Sequence, residues 1–141
     1  MLADFRGFYL APVKGQVMER ERFEWLVAKA IETLPDEFLT KLENIDVVVE
    51  DYPSRGQLAS VGLKRSQTLL GLYEGVPLTK RSTHYGLVPP DKITIFQKPI
   101  EAKCRYNAEI TAEIQRVVKH EIAHHFGIDD ARLAQIEKDQ D

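Results

Sequence analysis

Two histidines four residues apart, with a glutamate beside the first, mark the part of this chain equipped for chemistry. The tract is His120-Glu121-Ile122-Ala123-His124, running on into His125-Phe126-Gly127-Ile128-Asp129-Asp130. On a helix, residues i and i+4 project from one face, so His120 and His124 can share one metal ion. Glu121 sits about 100° further round the helix. Its carboxylate then lies beside the metal, where it can take a proton from a metal-activated water. The pattern implies metal-dependent hydrolysis, with a peptide bond as the expected target.

The residues that follow sharpen this. Gly127 falls where a helix commonly ends in a left-handed residue, and glycine adopts that conformation at no steric cost. The chain can leave the helix abruptly and bring back a third ligand. Zinc is the default ion for histidine nitrogens with a carboxylate oxygen, one per chain, although manganese, cobalt or nickel suit the same donors. Asp129 and Asp130 compete for the third place, and one of them is a natural N-cap for a terminal helix.

Written out, the tract is H-E-x-x-H-x-x-G-x-x-D. It resembles the metzincin pattern with aspartate in place of the last histidine. More closely, His120–Asp130 is similar to the tract of the short bacterial zincin-like metallopeptidases, the minimal zincins. The segments Val47–Pro53, Leu70–Pro77 and Pro90–Ile100 resemble the strands and loops of those proteins. The resemblance covers about residues 18–137 and leaves 1–17 without a counterpart. It implies an α+β fold: a small twisted sheet packed on a backing helix and the active-site helix. It implies His120, His124 and Asp130 as zinc ligands; by their positions His125 is read as a supporting or partly buried histidine, and Asp129 as a helix cap or supporting partner. Glu121 is expected to act as general base and to return the proton to the leaving amine. It further implies a peptide or protein substrate lying along an edge strand, expected at Lys92, Ile93, Thr94, Ile95 and Phe96. Main-chain hydrogen bonds would hold the substrate there. Weaker candidates for stabilising an oxyanion are His84 with Tyr85, and Arg105 with Tyr106, each more simply read as an exposed loop residue.

Positioning this tract requires a scaffold, and the pattern of apolar residues outlines one. From Met18, Phe23, Leu26, Val27, Ala30, Ile31 and Leu34 recur at helical spacing until Pro35. Trp25 sits at the edge of that stripe, as a partial cover for the core. A short helix is expected from Pro35-Asp36-Glu37, with Phe38, Leu39 and Leu42 inward. Ile45–Glu50, Leu69–Tyr73 and Ile93–Phe96 read as strands, with Pro99 ending the last. A loop is expected at Tyr52–Gly56, with weak patterning after it. Asn107 is placed as N-cap of a long helix, Ala108–Phe126, whose buried stripe is Ile110, Ile114, Val117, Val118 and Ile122. A terminal helix opens at Asp129 or Asp130. Helices, then strands, then the metal-binding helix make an α+β domain. Residues 1–17 are an arm of uncertain form, and 18–141 the single domain.

Composition narrows the functional classes. The chain has 141 residues, 43% of them hydrophobic and 29% charged, with a net charge of −3. These are the proportions of one ordinary globular domain, with no bulk attraction for nucleic acid. A single cysteine, Cys104, excludes an internal disulfide framework and is expected to be a half-buried thiol. No basic segment precedes a long apolar stretch, and no run reaches membrane-span length, so no membrane partner and a cytoplasmic location are expected. One departure from the metzincins stands out. Met1 and Met18 both lie upstream, so no methionine turn follows the third ligand. Eleven residues follow Asp130, too few for a second subdomain to wall the cleft. A shallow site is expected, which a partner protein could complete. The alternative to a peptidase is therefore a metal-binding regulatory or interaction module that keeps the site with little or no turnover. A zinc hydrolase acting on a non-peptide amide comes third.

Overall fold

The computed structural model describes residues 18–64, 68–75 and 90–139. Residues 1–17, expected to form an arm, and His84 and Tyr85 lie outside these. In chain order the elements are α1 (Arg20–Glu32), α2 (Asp36–Leu42), β1 (Ile45–Glu50), α3 (Arg55–Ser60), β2 (Gly71–Glu74), β3 (Asp91–Phe96), α4 (Gln97–Lys103), α5 (Asn107–Phe126) and α6 (Asp130–Lys138). The fold is α+β. Among the described residues no helix is long and apolar enough to cross a membrane.

The apolar stripes do what their spacing implies. Phe23, Leu26, Val27 and Ala30 of α1 are buried. They meet the stripe of α5, in which Ile110, Ile114, Val117, Val118 and Ile122 are all buried. Trp25 is half-buried at the margin of this core, with the Lys29 ammonium 5.6 Å from its ring centroid. Phe38 and Leu42 of α2 close one end. Burying such large side chains contributes roughly 1.5–3 kcal/mol each, which is what holds two helices that have no covalent tie.

The sheet has strand order β1-β3-β2. β1 runs parallel to β3, pairing Val47 with Ile93 and Val49 with Ile95. β2 runs antiparallel to β3, pairing Leu72 with Thr94 and Tyr73 with Ile93. Ile93 and Ile95 enter the core shared with α1 and α5. Thr94 and Phe96, also fully buried, point to the opposite face by the alternation of a strand.

This order corrects the expected substrate strand. Lys92–Phe96 is not an edge: β1 and β2 occupy both its sides. Its main-chain groups are spent within the sheet, and Ile93, Thr94, Ile95 and Phe96 are buried, leaving Lys92 exposed. Four consecutive buried residues, with polar Thr94 among them, mark a central strand covered on two faces rather than an edge.

Two helices were not expected. α3 begins where a loop was read. Ser54 caps it by accepting from the Gln57 N–H at 3.0 Å, while Gln57 Oε1 accepts from the Ser54 N–H at 2.8 Å. That reciprocal pair is a capping box, legible as S-x-x-Q. α4 follows β3 directly, with Pro99 in its first turn, where a proline costs no helical hydrogen bond. Asn107 is not the cap of α5. Tyr106 holds that position, no side chain caps it, and Asn107 is buried inside the first turn.

Candidate metal centre

α5 is a 20-residue helix whose last two turns change character. Ile122 and Ala123 face the core, while His120 and His124 are exposed on the other side. The two imidazole centroids lie 4.1 Å apart with planes tilted by 50°. The i, i+4 spacing therefore delivers two imidazoles to one patch of surface.

Glu121 lies between this patch and the sheet and is half-buried. Its Oε2 accepts a hydrogen bond from the Tyr73 main-chain N–H at 3.1 Å. Gly71 explains how β2 comes so near. A Cβ built on Gly71 would stand 2.4 Å from Val117 Cγ1. Four helical residues rise about 6 Å, and two strand residues span about 6.6 Å. Val117 to Glu121 thus keeps step with Gly71 to Tyr73. The missing side chain at one level lets strand meet helix, and the next level brings the Tyr73 amide to the carboxylate. Burial pushes the Glu121 carboxyl above its ordinary range; the Tyr73 N–H and positive charge on His120 and His124 pull it back in part.

Tyr73 does more than donate its amide. Its ring stacks on His125, centroids 3.8 Å apart and planes within 14°. Its hydroxyl donates to Asp91 Oδ2 at 2.7 Å. His125 also meets Phe126 edge-on at 4.9 Å. His125 is thus a packing partner of the strand, beside the face that carries His120 and His124. Sequence reasoning missed Gly71, Tyr73 and Asp91. The available signal was the lone glycine inside Leu69-Leu70-Gly71-Leu72-Tyr73, since a strand glycine often marks a close backbone approach.

The helix ends as expected. Gly127 is left-handed, with φ 69° and ψ 29°, and Ile128 N–H bonds back to Ala123 O at 2.8 Å. Asp129 then caps α6, accepting from the Arg132 N–H at 2.7 Å. Asp130 is the first residue of α6 and is exposed. Among the described residues no three His, Cys, Asp or Glu side chains form a group fit to hold a metal ion. The donor chemistry of His120 and His124 suits zinc, but Asp130 is not gathered with them. Arg105 and Tyr106 stand at the far end of α5, about 20 Å from His120 by the rise of the helix, which removes them from the site.

The sequence profile of the family described as zincin-like metallopeptidase matches residues 42–140. No curated protein matches the sequence. Among solved structures, one described as a conserved hypothetical protein from Thermo thermophilus is similar in fold. Its TM-score is 0.50 at 20% identity, over 77% of this chain and 94% of that one. The family match runs from the end of α2 through α6 and takes in the His120–His124 helix, so the chain belongs to the zincin-like metallopeptidase family.

Proposed function

We propose that this chain is a zinc-dependent metallopeptidase hydrolysing peptide bonds, with Glu121 as general base. The observation that carries the reading is the half-buried Glu121 carboxylate, flanked by the His120–His124 pair and tied to the main chain of β2. His120, His124 and Asp130 would hold the metal. Bound there, zinc supplies Lewis acidity toward a carbonyl oxygen and makes water a better nucleophile at neutral pH.

The chain's own groups do the rest. Glu121 takes the proton of the attacking water and later returns it to the departing amine. Burial raises the Glu121 carboxyl above its ordinary range, which makes it a stronger base toward the water than an exposed glutamate. The Tyr73 N–H holds the carboxylate in one orientation. With Asp129 occupied as a helix cap, Asp130 is the better candidate for third ligand. β2 replaces β3 as the strand along which an extended peptide would lie, since among the described strands it is paired on one side alone.

One observation favours the alternative of a metal-binding module with little turnover: Asp130 is not gathered with the two histidines. The deciding experiment compares wild type, His124→Ala and Glu121→Gln for bound zinc and for cleavage of a quenched-peptide library. Wild type should carry about one zinc per chain, as a single site of this donor type implies. His124→Ala should lose both metal and cleavage. Glu121→Gln should keep the metal while turnover drops by roughly 10²–10⁴-fold. Metal without cleavage in the wild type selects the module, and no metal after reconstitution sinks both readings.

A further inference from the structure

We infer that the cleft beyond Tyr73 and Phe126 is a side-chain pocket that selects a lysine or arginine of the peptide substrate. This rests on the metallopeptidase reading, because it presumes a peptide held along β2. The cleft has a volume of about 610 Å³ and lies among the end of α2, the starts of β1 and β3, Tyr73 and the last residue of α5. That is ample for one long side chain.

Continuity with the candidate centre runs through a single residue. The Tyr73 amide holds Glu121, while Tyr73 also lines the cleft and its hydroxyl bonds Asp91, another lining residue. A peptide alongside β2 therefore passes the mouth of this pocket.

The lining decides the charge of the occupant. Glu43, Asp46 and Asp91 contribute three carboxylates against one ammonium, Lys41, a formal balance of −2 among the described residues. Carboxylates alone would be a solvated rim. Here they stand round two aromatic walls, and Phe126 is 45% exposed, an unusual state for a phenylalanine. Lys41 already uses that ring: its Nζ lies 5.2 Å from the Phe126 centroid. The geometry thus suits a flat or extended cationic side chain, with its stem on the aromatic faces and its head toward the carboxylates. An acidic side chain would meet repulsion, and an aliphatic one would draw nothing from the excess of negative charge.

The test reads binding, so it does not depend on turnover. Full-length Glu121→Gln protein, loaded with zinc, is titrated into two labelled peptides that differ at one central residue, arginine or glutamate. The arginine peptide should bind roughly tenfold more tightly, given one cation–π contact and partly screened ion pairs. Glu43→Lys/Asp46→Lys, both exposed positions, should close that gap with the fold intact by circular dichroism. Equal affinities, a preference for glutamate, no binding of either peptide, or a gap that survives the double substitution would each overturn the inference. Cleavage by wild type with no charge preference would remove the pocket and leave the peptidase, whereas the loss of cleavage alone would leave the pocket.

Discussion

β3 and β2 are neighbours in one sheet and could hardly differ more. β3 has six residues, is paired on both sides and buries Ile93, Thr94, Ile95 and Phe96. β2 has four residues, is paired on one side among the described strands and contains a glycine. The stronger strand is scaffold, and the weaker one touches Glu121. A strand must leave main-chain groups unused by the sheet before it can serve a site, and a central strand has none to offer. The alternation that makes β3 easy to recognise does not tell an edge from a centre; the pairing on both its sides does.

Substitutions can break this contrast from either side. The largest effect is expected in the scaffold. Ile95→Ala opens a cavity in the core and should lower stability by about 2–5 kcal/mol, read by urea unfolding. Unchanged stability would mean that β3 is not central to packing. Gly71→Val should cost about 1–3 kcal/mol through its clash with Val117, and should also reduce turnover by moving β2 off Glu121. Adding Val117→Ala makes room and should restore turnover more fully than stability. If the pair of substitutions restores neither, the step-matched contact between β2 and α5 is not what places Glu121.

The two aspartates after Gly127 offer a smaller and sharper test. Asp129→Ala removes the cap of α6 and should cost about 1 kcal/mol of stability with zinc affinity little changed. Asp130→Ala should do the reverse, read by competition with a chelator. An exchange of these outcomes would exchange the roles.

The smallest effect belongs to Cys104. Burial first, then the charges of Glu113 and Glu109, push its thiol from the ordinary 9.0 up to about 11. The folded chain therefore holds this proton more firmly than the unfolded one. For an acid that charges on losing its proton, that tighter hold means stability falls as pH rises from 9.0 to about 11, where the unfolded thiol ionises and the folded one does not. Alkylation at pH 8 should be slow in the folded chain and fast after unfolding. Rapid labelling of the native protein would contradict the burial.

Much of the molecule was legible in the amino-acid order alone. The stripes of α1 and α5, the bounds of β1, the left-handed exit at Gly127 and the shared face of His120 and His124 all follow from local rules. Period, β-branching, glycine conformation and i, i+4 projection act over a few residues, so the order of residues determines them directly. The helices α3 and α4 were missed although a capping box and a first-turn proline signalled them. Strand order was a different matter. Nothing in Lys92–Phe96 says whether its neighbours lie on one side or both, because pairing joins residues tens of positions apart. The contact of Tyr73 with Glu121 spans 48 positions. It exists because Gly71 lets two elements approach, and only the packed fold could decide that.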